Sequence, residues 1–340
     1  MPLTPVHNRL VDHPAAWTNW GVGGTDGLRL DLGAAHLDAI DGLLEKLRRV
    51  PTQSIARRDF DHPALNIFLA RLFAEIQQGR GAVILGGLGA RRYSQPELER
   101  IYWGFGTHWG MAATQSAFGD RLGRVRVTPV GPLNPTGRPS RSDEELKPHT
   151  DSFEIVGYLC LEQAAVGGES EIVSALAIHN EILRTRPDLL APLYQGFPYS
   201  SSEAAASDRP LTMGAVPVFS YVGGQLSARY VRSQMERASR KLAHVPGGRV
   251  MPDELIEALD YFDSLSSRED LAVRFTLQPG EIYLVNNFTA LHARARFVDG
   301  PHRKRQLLRM WLEVPNGRRV MPEYTWQANS YKRIGALRAL

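Results

Sequence analysis

Lys147-Pro148-His149-Thr150-Asp151-Ser152 is the stretch around which the chain is organised. In an extended strand alternate side chains share a face, so His149 and Asp151 project together while Thr150 points away. An imidazole and a carboxylate side by side on a rigid element supply two thirds of a metal site. By itself His-x-Asp is a weak signal, because a strand histidine bonded to a neighbouring carboxylate leaves the same trace. A candidate third ligand is His292 in Asn286-Asn287-Phe288-Thr289-Ala290-Leu291-His292, which follows the strand-like run Glu281 to Val285.

Two histidines and one carboxylate on one face of a metal leave about three coordination positions open, an arrangement that suits non-haem Fe(II). A closed zinc site would need a fourth ligand. Beyond His292 the chain turns through Phe297-Val298-Asp299-Gly300-Pro301 and enters the strand-like run Arg305 to Leu312. Period two places Arg305, Leu307, Arg309 and Trp311 on one face. Four residues of strand separate the two arginine stems by about 13 Å, too far to share one carboxylate side by side. They can hold two ends of one ligand, or one can hold a cosubstrate and the other a substrate.

The order His149-x-Asp151, Gly167-Gly168-Glu169-Ser170, Asn287…His292 and Arg305-x-x-x-Arg309 resembles the TauD/TfdA family of Fe(II)- and 2-oxoglutarate-dependent dioxygenases, of the clavaminate synthase-like superfamily. The likeness runs over roughly residues 80 to 315. It implies that His149, Asp151 and His292 ligate Fe(II), that Arg305 pairs with the far carboxylate of 2-oxoglutarate, and that Ser170 supports that carboxylate. It places Arg309 near the iron-side carboxylate of the cosubstrate or an acidic group of the substrate. Dioxygen would be the third reactant. Two positions depart from the family pattern: Glu169-Ser170 stands where Asp-Thr is common, and Pro148 precedes the first histidine. Neither changes an iron ligand. Because Asp151 keeps the carboxylate that related halogenases give up, hydroxylation or a related oxidation such as desaturation is expected over halogenation.

Composition sets outer limits. With 340 residues and 43% hydrophobic content the chain can bury a large core, and we expect one domain over residues 1–340, with no internal repeat. The start lacks the basic patch and apolar run of a signal peptide, and no stretch approaches the apolar length of a membrane helix, so a cytoplasmic protein with no membrane partner is expected. The single cysteine, Cys160, excludes an internal disulfide, fits a reducing compartment, and reads as a core residue in an apolar run. Net charge is +4, yet from Arg294 onward eleven Lys or Arg stand against three Asp or Glu. No base-stacking aromatic pattern accompanies them, so small anionic substrates are the expected partners and nucleic acid is not. A homo-oligomer stays open.

Residues 1–80 read as helical cover, with apolar spacing over Ala34 to Val50 and Ala64 to Gln78, and Trp17 and Trp20 as packing residues. Gly81 to Leu88 reads as a buried strand whose Gly86-Gly87 lacks the spacing of a dinucleotide fingerprint. Ser94 and Glu97 stand at capping-box spacing ahead of a helix that His108 and Trp109 close, His108 as a capping or packing residue. Arg124 to Thr128 alternates like a strand, and Ser174 caps a helix on which His179 is expected at the surface. Val216 to Tyr221 and Gln225 to Tyr230 flank Gly223-Gly224 as a hairpin. Arg229 and Arg232 after it are either solvated charge or contacts for an acidic substrate. Asp253 to Leu265 reads as an amphipathic helix. Residues 130–147 and 197–212 are long polar loops and are expected to be lids.

Strands that deliver ligands from distant positions onto one metal suit a jelly roll, as the resemblance also implies. The expected architecture is mostly β with helical cover, around a double-stranded β-helix core. Two rivals remain on the sequence alone. One is a non-catalytic sensor that binds a metal or small anion on the same fold. The other is a zinc hydrolase, which would need a general base and would leave Arg305 without a task.

Overall fold

Alternation along the central strands sorts their side chains into two cores. In Ile155–Glu162, Val156, Tyr158 and Cys160 join one apolar cluster and Ile155 and Leu159 another. Ile282–Asn286 divides in the same way, Tyr283 and Val285 against Ile282 and Leu284, and so does Gln306–Glu313, Leu307 and Trp311 against Leu308, Met310 and Leu312. These strands belong to a sheet buried on both faces, which is why they read as nearly continuous apolar runs.

The structure is a computed structural model that describes residues 5–89, 91–115, 119–129, 131, 139–200 and 211–329. Its larger sheet runs in the order Arg29–Asp31, Ala82–Gly86, Ile282–Asn286, Ile155–Glu162, Gln306–Glu313, Met111–Ala112, and Gly123–Val125 also pairs with Gln306–Glu313. The first pair is parallel and the others are antiparallel. A smaller antiparallel sheet runs Ala272–Phe275, Ser170–Ser174, Ala290–Arg294, Leu146–His149. Its Ile172, Val273, Phe275 and Ala290 meet the inner face of the larger sheet in one cluster, while Val173, Ala272 and Leu291 face helices. Two sheets enclosing one core make the jelly roll that the spacing of the ligands leads one to expect.

Helices cover both outer faces. Ala34–Leu47, Pro63–Gln77 and Gln95–Trp109 lie over the larger sheet. Ala175–Thr185, Leu190–Gln195 and Asp253–Ser266 lie over the smaller one, joined by the hairpin Phe219–Val222 and Gln225–Ala228. Ser94 and Glu97 form the expected capping box, the Ser94 N–H donating to Glu97 Oε2 at 2.7 Å. A Cβ at Gly104 or Gly106 would overlap the Phe60 ring or the Met310 sulfur, so glycine lets this helix lie close to its neighbours. His108 packs as expected, its Nε2 2.8 Å from the Phe60 carbonyl. Trp17 is buried with its indole N–H on the Arg80 carbonyl, whereas Trp20 is 76% exposed and packs little.

Several expectations need correction. His179 is fully buried, because the N-terminal segment lies over the outer side of its helix: Val11 exchanges backbone hydrogen bonds with the Asn180 side chain. The Tyr194 hydroxyl is 3.2 Å from His179 Nε2, and burial lowers the imidazole pKa to about 4. The strand expected over Arg124 to Thr128 is only Gly123–Val125. Strand pairing also stops at His149, so Asp151 lies in the turn beyond it. Of the two expected lids, residues 130, 132–138 and 201–210 lie outside the described residues. Pro139–Arg141 forms a short 3-10 turn, the next strand begins at Leu146, and Phe197 and Ser200 bridge to Val216 and Leu211. Among the described residues no helix is long and apolar enough to cross a membrane.

Candidate metal centre

Strand register brings the first and last predicted ligands face to face. His149 and His292 are direct partners in the antiparallel pair of Leu146–His149 with Ala290–Arg294, and their rings lie 4.4 Å apart between centroids. Asp151 curls back from the turn, so that its Oδ1 lies 4.0 Å from His149 Nε2 and its Oδ2 3.7 Å from His292 Nε2. One donor atom from each of the three residues falls within 4.8 Å of the others, which one ion can bridge.

Protonation suits this use. The Lys147 carbonyl 2.8 Å from His149 Nδ1 can only accept, which makes Nδ1 the donor and aims Nε2 at the other two residues. Burial lowers the His292 pKa, as does the neighbouring His149 imidazole, to about 3. Burial opposes ionisation of Asp151, but the facing His292 imidazole, the Arg309 guanidinium and the Trp311 N–H outweigh it and hold the carboxyl at about 2. Near neutral pH the site therefore offers a carboxylate and a neutral buried imidazole, the forms that bind a divalent metal.

Three neighbours orient these groups. The Trp311 indole N–H donates to Asp151 Oδ2 at 2.7 Å. The Tyr158 hydroxyl stands 3.4 Å from both Asp151 Oδ2 and His292 Nε2. Asn287 accepts the Asp151 N–H on Oδ1 at 2.8 Å and donates from Nδ2 to the Phe153 carbonyl, fixing the turn from 151 to 153. Trp311 had been placed on the inward face by alternation, but Tyr158 is visible as a site residue only once the sheet is assembled.

Arg305 is 3% exposed, and among the described residues it has no ion pair and its Nε has no hydrogen-bond partner. Burial lowers its pKa, yet a guanidinium stays charged, so a buried cation is held ready for an anion. The Gly168 turn makes the room. Its φ is +80°, which favours glycine, and a Cβ there would meet Arg305 Nε at 3.0 Å. Ser170 is buried two residues on, with Arg294 as its register partner. Arg294 was missed by the sequence reading. It shares the inward face with His292, and its guanidinium and that of Arg305 lie 4.8 and 5.4 Å from the Phe297 ring centroid. Burial and repulsion from Arg305 bring its pKa down to about 10.

Arg309 occupies a different position. Its Nε donates to Gln115 Oε1 at 2.8 Å, its Nη1 is 4.0 Å from Asp151 Oδ2, and its plane covers the Trp311 ring at 4.2 Å. It also lines a cleft no larger than a water molecule with Gln115, Asp120, Gly123, Val125, Ser140 and Arg141. Cys160 is wholly buried, and burial pushes its thiol up to about 12, which fits the core role. Arg232 ion-pairs with Glu236, Asp260 and Asp263, and Arg229 is buried against the metal turn, so neither is solvated charge.

Comparison with known families decides the assignment. Residues 46–311 match the model of the family described as "Taurine catabolism dioxygenase TauD, TfdA family". The chain belongs to the TauD/TfdA family. It is 32% identical over 289 residues to the FR-33289 synthase of Streptomyces rubellomurinus, covering 81% of this chain and 83% of that one. It is 29% identical over 266 residues to the taurine hydroxylase-like protein SAT17 of Stachybotrys chartarum, covering 74% of this chain and 66% of that one. Among solved structures, asparagine oxygenase in complex with Fe(II), 2S,3S-3-hydroxyasparagine and succinate superposes with a TM-score of 0.64 at 14% identity, over 84% of this chain and 93% of that one. The non-heme iron oxygenase OrfP with Fe and alpha-ketoglutaric acid gives a TM-score of 0.59 at 12% identity, over 84% of this chain and 94% of that one. This TauD/TfdA member is an Fe(II)- and 2-oxoglutarate-dependent oxygenase, and the triad His149, Asp151 and His292 fits an iron site.

Proposed function

We propose that this oxygenase hydroxylates an unactivated carbon of a small anionic or amino-acid-like molecule. His149 Nε2, Asp151 and His292 Nε2 would hold the iron, with the Asp151 oxygen bonded to Trp311 kept from rotating. Arg305 would anchor the far carboxylate of 2-oxoglutarate with Ser170 beside it. Two residues of strand, about 6.6 Å, separate His292 from the Arg294 and Ser170 level, which suits a five-carbon diacid stretched between the metal and the guanidinium. The observation that carries this reading is the buried Arg305, without an ion pair among the described residues, in the same barrel as the convergent triad.

When bound, Fe(II) and 2-oxoglutarate supply the oxidising power that puts one oxygen atom of dioxygen into a C–H bond, with succinate and carbon dioxide released. The chain's own residues bind, orient and exclude water. Asn287 and Trp311 hold Asp151, and Gly168 leaves Arg305 its space. Arg309, 4.0 Å from Asp151 at the edge of the triad, would meet a carboxylate, sulfonate, sulfate or phosphate on the substrate. The hydroxyasparagine and L-Arg bound in the structural neighbours favour an amino-acid-like molecule. One domain acting on small molecules in a reducing cytoplasm fits the buried, unpaired cysteine.

The test is a library of small acids and amino-acid derivatives supplied with Fe(II), ascorbate, oxygen and 2-oxoglutarate. Substrate-dependent succinate with a product heavier by one oxygen atom is expected. Binding of metal and 2-oxoglutarate with no turnover on any acid would leave the sensor reading in its place.

A further inference from the structure

The turn between the two N-terminal ligands is gripped from outside the barrel. Arg229 follows the hairpin strand Gln225–Ala228, far from the metal ligands in sequence, and is 2% exposed. Its Nη1 donates to the Thr150 carbonyl at 2.6 Å, to Thr150 Oγ1 at 2.7 Å and to the Asp151 carbonyl at 2.8 Å. The backbone alongside completes the grip. The Thr150 N–H donates to the Tyr230 carbonyl at 2.9 Å, and the Tyr230 N–H donates to Thr150 Oγ1 at 3.0 Å. Nη2 turns the other way, to Gln327 Oε1 at 3.3 Å, and that oxygen also accepts from Gln234 Nε2 at 3.2 Å.

This contact falls where the regular structure gives out. Ladder pairing ends at His149, so nothing in the sheet fixes the dihedral angles of Thr150 and Asp151. The angle between the His149 and Asp151 side chains depends on those dihedrals. Asn287 holds the turn by the Asp151 N–H, and Arg229 holds it by the carbonyls on the opposite side. A guanidinium suits the task because its rigid planar fork holds the turn on Nη1 while Nη2 reaches Gln327, a two-armed geometry that the single nitrogen of a lysine cannot reproduce.

We infer that Arg229 is a positioning residue of the metal centre, setting the bite of His149 and Asp151 through Thr150 and linking it to the C-terminal segment at Gln327. The inference rests on the metal reading of the triad. It concerns the affinity and geometry of the site, not contact with iron or substrate.

The test uses the full chain, stripped of metal and titrated with Co(II) alone, read by visible absorption, with thermal unfolding measured in parallel. Arg229→Lys is expected to fold and to bind Co(II) about 10- to 100-fold more weakly, with an altered visible spectrum, the scale seen when outer partners of metal ligands are removed. Thr150→Val, which removes one acceptor and keeps the volume, is expected to weaken Co(II) binding by a smaller factor, and Thr150→Ser to leave it near wild type. A folded Arg229→Lys with wild-type affinity and spectrum overturns the inference. If Arg229→Lys does not fold, Thr150→Val decides: weaker binding supports the role, and unchanged binding overturns it. Wild type and His292→Ala are the controls for the underlying reading. If wild type binds no Co(II), or His292→Ala binds it equally well, the triad assignment fails first and the positioning role with it.

Discussion

Replacing Arg305 by methionine should move two properties in opposite directions. Arg305 is 3% exposed and has no ion pair among the described residues, so its buried charge draws little compensation from them. Exchanging even a buried ion pair for apolar side chains of similar volume is often neutral or stabilising by about 1–4 kcal/mol, and a cation without a counter-ion forfeits no Coulomb attraction in the exchange. The loss of contact with the Phe297 ring, worth about 1 kcal/mol, subtracts from that. A net gain of up to about 3 kcal/mol is therefore expected in urea unfolding of metal-free Arg305→Met. Binding responds the other way. Two charge-assisted hydrogen bonds to the far carboxylate, each about 1.5–3 kcal/mol, vanish. At about 1.4 kcal/mol per tenfold, the 2-oxoglutarate dissociation constant should rise by about 10² to 10⁴. Calorimetric titration of the Co(II)-loaded protein under nitrogen measures it without turnover. A variant less stable than wild type that binds 2-oxoglutarate with unchanged affinity would refute both the assignment and the claim that stability is given up at this site.

Other consequences can be checked in the same way. Asp151→Ala should abolish succinate formation and weaken Co(II) binding by at least about tenfold, and robust turnover by that variant would count heavily against the metal reading. Gly168→Ala forces a Cβ into φ +80° and onto Arg305 Nε, so the KM for 2-oxoglutarate should rise more than that for the substrate, at a stability cost of about 1–2 kcal/mol. Trp311→Phe removes the donor to Asp151 Oδ2 while keeping an aromatic ring, and a fall in metal affinity of about tenfold or more is expected, with folding intact by circular dichroism. Burial and His149 hold His292 near 3, and burial holds His179 near 4, both below the ordinary histidine value of 6.5. Between about pH 4 and 6.5 the unfolded chain thus takes up protons that the folded one refuses, so the stability of metal-free protein should rise with pH across that window. His179→Leu should flatten the slope, and an equally steep profile in that variant would contradict the buried neutral imidazole.

How far the site could be read in advance followed from how local each signal was. Arg305 to Trp311 is a short strand pattern, and period two alone put Leu307 and Trp311 inward, whereas Asp151 reaches the site from a turn past the end of its strand, which alternation does not encode. His292 was legible because it comes soon after the apolar strand Ile282–Asn286, although it sits on a strand of its own, Ala290–Arg294, in the other sheet. Tyr158, Asn287 and Arg294 belong to the site through cross-strand neighbours, which no spacing rule encodes. His179 went wrong for a related reason. An Asn-Glu pair beside it suggests a solvated face, but the N-terminal segment buries that face with Val11 on Asn180. The helical cover was the easiest part to read, since amphipathic spacing is an intrinsic property of each helix.

Among the described residues the strand bearing His149 is the rim of the smaller sheet, paired with the strand bearing His292 alone. An ion gripped by both imidazoles would rivet adjacent rungs of that ladder. Deuterium uptake by the amides of Leu146–His149 ought then to slow sharply on metal loading while the opposite rim at Ala272–Phe275 stays indifferent. Loss of the ion would first show as fraying of one margin of the barrel, well before the molecule as a whole came apart.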